Sequence, residues 1–586
     1  MPSKKPPRIA LGCLLALAVV ILAGGGWWAH RGLSVQDHLE VTRHALSRLR
    51  DVVNAGDARA LAEPLSEARQ SAAQAQALTA TPDWALLTHI PMVGDAATVA
   101  RGLAEATAEL TNVLIGIQKS ASPITAGMQS VSDMRRLLPS LETMAPRLNE
   151  ARTRLARARA HLAATPAATR LERVDQARAT ALQEMDRLQG WLDAAATAAT
   201  VLPPMLGGDG PRRYYLAFQT NAEARGTGGL VGAFGILEAK HGRMSIERLT
   251  SNADFDDPST PVVDLGPAYR ARYGLNAARM LSISNLSPHL PHAAAIWTGM
   301  WERQTGQRLD GAIATDPVGL AYLLRVIGPV TLPGGQKVTA GNVVDLTERE
   351  AYARYQKSAA RKRFLIRIAL AVSEKLTNTS AEPAELLPVL SRLVKERRVQ
   401  IWSRRDAEQR YLSATPLGGV LPQAPGPFAG LVVNNSGGNK LDYYLERSLT
   451  YELGPCRDGL RITRVRIRLD NDVPKQHLPA YVSGRLDSPH RRHAVGSNLL
   501  WVSLYASLGT KLSAAWLDGD RVPVVREDER SHPIYSKMIE FAPRQSRTME
   551  LELVEPYSTA PPQIPVQPLV RPQHTEIIQD PRGCPS

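Results

Sequence analysis

Residues 220–235, TNAEARGTGGLVGAFG, decide how the middle of this chain folds. They follow YYLAF, an apolar run that is typical of a buried strand. Because alternate strand residues point to one face, the pattern predicts a single polar row. The row consists of Asn221, Glu223, Arg225 and Thr227. Gly228 and Gly229 would let the strand bend or let backbone approach another group closely. We expect the charges of this row to have partners or a ligand.

The composition indicates several globular domains. The chain has 586 residues, of which 44% are hydrophobic and 22% charged. Its net charge of +14 favours polyanionic partners such as nucleic acid, anionic lipid, phosphate or pyrophosphate. The sequence has no zinc-ligand cysteine pairs and no recognisable nucleic-acid motif, so we expect no nucleic-acid partner. It also lacks the common hydrolase and nucleoside-triphosphatase motifs.

The N-terminus predicts a membrane anchor. Residues 9–29 carry no charge, and as a helix they span about 31 Å, enough for a bilayer core. Lys4, Lys5 and Arg8 precede this run, so residues 1–8 are expected to form a cytoplasmic tail. The alternative is a cleaved signal peptide. The favoured interpretation is a single-pass protein whose bulk lies outside the cytoplasmic membrane.

The rest of the chain divides into four parts by its pattern. Residues 33–200, rich in Ala, Leu, Arg and Glu, predict a helical bundle or stalk. Residues 211–400 alternate strand and helix patterns, which predicts an α/β domain. Residues 438–560 alternate at period two, as in a β-sandwich of immunoglobulin-like type, and residues 561–586 read as an extended tail. The predicted fold class is therefore multidomain α+β.

Cysteine placement predicts one disulfide. Of three cysteines, Cys13 lies in the predicted anchor, whereas Cys456 and Cys584 lie in the exported part. An oxidising compartment permits a bond between these two, which would join the C-terminal tail to its domain. The alternative is a pair of free thiols.

A second polar segment, TSNADFDDP at 250–258, follows a predicted strand. Asp254 is placed at the junction of this strand and its loop, where carboxylates can hold Mg²⁺ together with water. A turn rich in Asn and Asp explains the same residues without a metal.

A third segment, EAYARYQKSAARKRFLIRIALAV at 350–372, predicts one helix. Arg354, Lys357 and Arg361 share a stripe of this helix that continues as apolar residues. Cations in line with an apolar stripe indicate a pocket at the edge of the core, where arginine could bind phosphate oxygens in bidentate fashion. The alternative is a frayed helix end whose charges reach water.

Four stretches carry a family resemblance. They are THIPMVGDA, RRYYLAFQTNAEARGTGGLVGAFGILEAKHGRMSI, LDGAIATDPVGLAYLLRVIGPVTLP and NNSGGNKLDYYL. Together they resemble DUF4012, a domain-of-unknown-function family of actinobacterial membrane proteins that names no established activity. Members often accompany exopolysaccharide and cell-envelope genes, so the resemblance implies an envelope protein.

The α/β segment is also similar, more distantly, to the LytR–CpsA–Psr phosphotransferases, which transfer glycopolymers from a polyprenyl-pyrophosphate lipid to the cell wall. The resemblance implies that Arg225 and Thr227 match that family's Arg-Ser-Asp-Thr strand and Asp254 its turn acid. Arg361 and Arg363 match its late, Arg-rich helix. Two departures stand out: no Asp for Mg²⁺ follows Arg225, and no Arg precedes Asp254. Glu223 would have to replace the missing carboxylate.

Two functional hypotheses follow. In the first, the protein transfers a polyprenyl-pyrophosphate-linked glycopolymer to a cell-wall acceptor, with Glu223 and Asp254 as catalytic groups and Mg²⁺ ligands. The expected pyrophosphate ligands are Asn221, Arg225, Thr227, Arg354, Lys357, Arg361 and Arg363. In the second, the chain is a non-catalytic scaffold or binding module for exopolysaccharide assembly or export.

Overall fold

The computed structural model describes residues 30–49, 51, 60–127, 134–377, 379, 381, 383–474 and 478–580. The chain forms two compact units, one over Met1–Met128 and Arg135–Pro204 and one that includes Met205–Ser586. The predicted tail and anchor, residues 1–29, lie outside the described residues. Among the helices that are described, none is both long enough and apolar enough to cross a membrane.

The first unit is helical. Its described helices are α1 (30–49), α2 (Ala62–Thr79), α3 (Pro82–Leu87), α4 (Gly94–Gly127), α5 (Met134–Ala163) and α6 (Glu172–Met205). Leu155 and Leu162 of α5 pack with Leu192 of α6 in the core, and each is 0% exposed. The helices cover most of the range predicted as a bundle, and leucine and alanine fill the space between them.

The second unit begins with a mixed sheet. Its first seven strands are β1 (Arg212–Arg225), β2 (Gly228–Lys240), β3 (Arg243–Ser251), β4 (Gly311–Thr315), β5 (Val330–Thr331), β6 (Lys337–Val338) and β7 (Val399–Ser403). Five of them form one sheet in the order β3-β2-β1-β4-β7, while β5 and β6 pair separately. Only the β1–β4 pairing of this sheet is parallel among the described strands.

Helices cover this sheet. They are α7 (Gly266–Tyr273), α8 (Leu290–Thr305), α9 (Pro317–Ile327), α10 (Val343–Asp345), α11 (Ala351–Arg354), α12 (Ser358–Thr377), α13 (Pro383–Lys395) and α14 (Asp406–Ser413), with a π-helix at Leu346–Glu350. Short 3₁₀ turns occupy Asn252–Asp254, Leu275–Ala278, Leu281–Ile283, Pro416–Gly418 and Leu441–Tyr444. Tyr215 of β1 stacks on Phe234 of β2 at 5.0 Å and on Trp297 of α8 at 5.8 Å between ring centroids. These rings anchor α8 against the sheet.

The single helix predicted over 350–372 is wrong. Helix α11 ends at Arg354, Tyr355 is extended at φ −115° and ψ 98°, and α12 begins at Ser358. The Tyr355 ring packs 5.2 Å from that of Phe364 of α12. Arg354 and Lys357 therefore do not share a helical stripe with Arg361.

The rest of the unit is a β-sandwich. Its elements are β8 (Ala429–Asn435), β9 (Leu445–Arg457), β10 (Leu460–Asn471), α15 (Ala480–Ser483), β11 (Asn498–Ala506), β12 (Lys511–Leu517), β13 (Asp520–Arg521), β14 (Val525–Glu529), β15 (His532–Phe541), β16 (Ser546–Pro556) and β17 (Gln573–Gln579). One sheet has the order β13-β12-β16-β10-β9-β17 and the other β14-β15-β11-β8. Leu431, Val465 and Val502 belong to the core that both sheets contribute to. From Arg464 to Leu469, strand β10 alternates outward basic and inward apolar residues, as its sequence predicts.

The sandwich begins earlier and ends later than the predicted range. Strand β8 precedes residue 438, and β17, in the predicted tail, pairs in parallel with β9. Cys456 on β9 is disulfide-bonded. Its predicted partner Cys584 lies outside the described residues, and the described chain ends at Asp580, whose backbone N donates to the Leu453 carbonyl. The pairing Cys456–Cys584 stays a prediction.

Candidate functional site

Strand β1 is interrupted where the polar row was predicted. Thr220 pairs with Leu230 and Ala224 with Gly229, so the residues between Thr220 and Ala224 have no partner on β2. This bulge breaks the alternation of faces. All four residues of the expected row are buried, at 0–5% exposure: Asn221, Glu223, Arg225 and Thr227. Each of the four side chains is hydrogen-bonded inside the protein.

Two acidic side chains that are distant in sequence accept hydrogen bonds from backbone N–H groups of the bulge. Glu348 of the π-helix accepts a hydrogen bond from the Ala222 backbone N at 2.8 Å. Asp442, from the 3₁₀ turn after β8, accepts one from the Ala224 backbone N at 2.7 Å. Buried N–H groups need acceptors, so these acids satisfy the bulged backbone. Burial raises the pKa of Glu348 to about 8.

Glu223 lies between two cations. Arg225 Nη2 donates to its Oε1 at 2.7 Å, and Lys440 Nζ donates to its Oε2. The Arg225 guanidinium also donates to the carbonyls of Ser282 at 3.0 Å and Asn435 at 3.2 Å. Burial lowers the pKa of Arg225 to about 10 and that of Lys440 to about 8. We call Glu223, Arg225, Lys440, Asp442 and Glu348 the β1 network.

The remaining residues of the predicted row are also bonded within the protein. Asn221 Nδ2 donates to the Pro568 carbonyl at 2.8 Å. Thr227 Oγ1 donates to Gln219 Oε1 at 2.8 Å. The C-terminal segment enters this region as well, since Gln567 Nε2 donates to the Arg225 carbonyl at 2.6 Å. The segment before β17 is therefore part of the packing around β1.

The glycines of this stretch let the chain approach itself. A Cβ on Gly229 would lie 2.2 Å from the Thr220 carbonyl oxygen, and one on Gly226 would lie 2.2 Å from that of Leu286. Gly228 has φ +146°, which side-chain-bearing residues rarely adopt. The close approach expected from the sequence is thus made by backbone of the same molecule.

Arg361 is held between two tyrosine rings. Its guanidinium carbon lies 5.0 Å from the ring centroid of Tyr352 and 4.1 Å from that of Tyr481. Arg361 also donates to the Tyr355 carbonyl at 3.2 Å and is only 3% exposed. Lys440 Nζ lies 5.7 Å from the same Tyr481 ring. The structure thus brings Arg361 next to the β1 network, with Tyr481 as the shared neighbour.

Asp254 lies in a different environment from Glu223. It is exposed and accepts hydrogen bonds from Thr250 Oγ1 at 3.2 Å and the Ser251 backbone N at 3.3 Å, so it caps its own turn. This is the Asx-turn alternative. The described residues contain no group of three or more His, Cys, Asp or Glu side chains that could hold a metal ion. Lys362 of α12 reaches Asn252 Oδ1 at 3.1 Å, which joins this turn to the start of α12.

Three predicted phosphate ligands remain at the surface. Arg354, Lys357 and Arg363 are exposed. Arg354 donates to Gln336 Oε1 at 3.1 Å, a neutral partner. These cations are available to an anion from solvent, unlike Arg225 and Arg361.

The cavity beside Gly226, at the turn of the β1–β2 hairpin, is small. A cavity of about 20 Å³, lined by Gly226, Arg397 and Gln567 among others, has room for about one water molecule. A pyrophosphate group does not fit in it.

Chemically, the β1 network joins the mixed-sheet domain to the sandwich through charge-assisted hydrogen bonds.

Sequence reasoning missed Lys440, Asp442, Glu348, Tyr481 and Gln567. A usable signal was present for the first two, since the polar run NNSGGNKLD follows directly on the apolar strand β8. Nothing comparable marks Glu348 or Gln567, which lie in ordinary helical and proline-rich sequence.

Residues 209–352 match the model of a family described as "Protein of unknown function (DUF4012)". The match covers β1 and Glu348 and supports the resemblance to that family. No curated protein matches the sequence. Among solved structures, protein gbs0355 from Streptococcus agalactiae is similar at 14% identity and a TM-score of 0.25, over 37% of this chain and 76% of that one.

Protein lpg2210 from Legionella pneumophila is similar at 8% identity and a TM-score of 0.15. That likeness covers 22% of this chain and 44% of the Legionella chain, so less than half of the Legionella protein is spanned. TM-scores this low carry no argument about fold or function.

Proposed function

We propose that this chain is a non-catalytic binding module of the cell envelope, which takes part in exopolysaccharide assembly or export. One observation carries the proposal. The acid and the guanidinium that a transferase would present to its substrate, Glu223 and Arg225, are bonded to each other and to Lys440 in the interior. Buried ion pairs are costly to separate, so the resting arrangement supports a structural use of these groups.

The partner that fits best is a phosphorylated, polyprenyl-linked glycan or a related anionic cell-wall polymer. The net charge of +14 favours a polyanion, and the exposed Arg354, Lys357 and Arg363 offer cations without acidic partners in the described structure. Binding of this kind is electrostatic, weakens with salt and does not need Mg²⁺. The envelope setting is supported by the resemblance to DUF4012.

Glycopolymer transfer is the competing function. It would require Glu223 to exchange Lys440 and Arg225 for Mg²⁺, and Asp254 to leave its turn for the same ion. A conformational opening of the β1 network would have to precede catalysis.

The test incubates the full chain with a polyprenyl-pyrophosphate glycan, with and without Mg²⁺, and measures both binding and release of lipid phosphate. We expect salt-sensitive binding, unchanged by Mg²⁺, without release. The triple variant Arg354→Gln, Lys357→Gln, Arg363→Gln should bind several-fold more weakly. A matched control replaces Arg464, Arg466 and Arg468 on β10, exposed arginines elsewhere on the same unit.

Three other outcomes would each contradict the proposed function. Release of lipid phosphate that Mg²⁺ stimulates, and that Glu223→Gln abolishes in a folded protein, would establish a transferase. If both triple variants weakened binding equally, the interaction would depend on net charge alone and not on a specific site at the start of α12. No binding at any salt concentration would exclude the glycan as partner.

A further inference from the structure

Residues 485–497, between α15 and β11, form a closed loop with a braced base. Arg485 Nη1 lies 3.4 Å from Ser497 Oγ, which joins the two ends of the loop. Arg485 also makes a bidentate pair with Asp487, at 2.6 and 2.9 Å, and reaches Glu540 of β15 at 2.8 Å. His493 lies 2.9 Å from the same Glu540. Arg485 and His493 thus fix the loop to Glu540 of the sandwich.

The loop presents apolar side chains to solvent. Leu486 is 75% exposed, and no other large hydrophobic side chain among the described residues is more exposed. Val495, at the other end of the loop, is 68% exposed. Met538, on the same face of β15 as Glu540, is 48% exposed. Because the base of the loop is braced, these side chains are held outward rather than folded onto the core, which leaves apolar area in water at a cost in free energy.

Cations accompany these apolar side chains. Arg491 and Arg492 lie in the middle of the loop, are exposed, and form no ion pair within the described part of the chain. The nearby acids Asp487 and Glu540 both pair with Arg485. The outward surface of the loop is therefore positive as well as apolar.

We propose that the 485–497 loop docks on the surface of an anionic lipid bilayer. Leu486 and Val495 would enter the headgroup region, while Arg491 and Arg492 pair with lipid phosphates. A soluble polyanion would need only the arginines, whereas a bilayer surface uses both the cations and the exposed apolar groups. This docking does not depend on the proposed glycan binding, which involves cations at the start of α12.

The experiment places a photoreactive residue in the loop. The full chain carrying Leu486→p-benzoylphenylalanine is reconstituted with vesicles of phosphatidylglycerol and phosphatidylcholine, illuminated and examined for lipid adducts by mass spectrometry. We expect adducts at position 486 that fall several-fold with pure phosphatidylcholine. The added changes Arg491→Gln and Arg492→Gln should lower the yield again, since each arginine contributes roughly a fivefold factor near anionic lipid.

The control substitutes the same photoreactive residue for Asp520, an exposed position on β13. All these positions are exposed, so the variants should fold, which circular dichroism verifies. Equal lipid adducts at positions 486 and 520, equal adducts on neutral and anionic vesicles, or adducts only to a second copy of the chain would each overturn the proposal.

Discussion

Glu223 and Lys440 form an ion pair across 217 residues of sequence, and their side chains are only 7% and 6% exposed. The pair joins the bulge of β1 to the loop that follows β8. Both ions have left water, so the network is stable only while every charge keeps its partner. The mixed-sheet domain and the β-sandwich of this unit are therefore held together by ion pairs as well as by apolar packing.

Glu223→Gln should destabilise the second unit by about 3–5 kcal/mol, because Arg225 and Lys440 would remain as buried cations without a counter-charge. The double variant Glu223→Gln, Lys440→Met should recover part of this loss. Urea unfolding of the full chain, followed by tryptophan fluorescence, measures the effect. As a control, Glu550→Gln breaks the exposed pair with Arg466 and should cost less than about 1 kcal/mol. Equal costs for the buried and exposed changes would contradict the role of the network.

Glu348 should make the second unit less stable as pH rises. Its pKa is about 8 in the folded chain and near 4.5 when unfolded, so between these values only the folded state holds the proton. The stability that protonated Glu348 contributes is therefore fully present below pH 4.5 and is lost as the pH rises towards 8. Thermal unfolding between pH 6.5 and 8 should show a steeper decline in stability for the native protein than for Glu348→Gln, with a difference of roughly 1.5 kcal/mol. Parallel profiles would show that Glu348 is ionised in the folded protein.

Gly229→Ala should be strongly destabilising, by about 3 kcal/mol, because its Cβ would overlap the Thr220 carbonyl in the hairpin. The matched change Gly190→Ala, in helix α6, has open space around the new Cβ and should stabilise its helix by up to about 1 kcal/mol. Thermal melts of the two variants provide the comparison. A tolerated alanine at position 229 would mean that the β1–β2 hairpin relaxes easily.

The predicted disulfide between Cys456 and Cys584 should appear as one linked peptide pair in a non-reducing digest. Cys584→Ser should then speed hydrogen exchange in β17, which depends on the bond to hold the chain end against β9. Exchange in the core strand β10 should stay unchanged, because its partners lie on both sides. Fast exchange of β17 in the native chain as well would show that the bond does not order this strand.

The sequence predicted individual helices and strands better than it predicted the side-chain contacts around β1. Strand β10 could be read directly, because Val465 and Ile467 alternate with outward arginines. The bulge in β1 could not, since the acceptors of its backbone N–H groups come from Glu348 and Asp442, 126 and 218 residues away. The alternation of residues along a strand predicts which side chains share a face. It does not identify the distant groups that accept hydrogen bonds from the strand's backbone.

The helix break had a similar cause. Residues 350–372 are rich in intrinsic helix formers such as Ala, Arg and Leu, but in the folded chain the Tyr355 backbone is extended and its ring packs on Phe364. The partners of Arg225 were equally hidden, because the backbone carbonyls of Ser282 and Asn435 carry no charge that a sequence pattern would show.

The position of Gln567 has a consequence for the order of events during synthesis. Its side chain bonds the Arg225 carbonyl and both backbone groups of Val433, so late-made residues complete a hairpin that left the ribosome some 340 residues earlier. Until that glutamine emerges, the Arg225 carbonyl of the nascent β1–β2 hairpin lacks the hydrogen-bond donor that it has in the finished molecule. Emergence of residue 567, rather than steady growth from the N-terminus, therefore sets the earliest moment at which the β1–β2 hairpin can reach its final form.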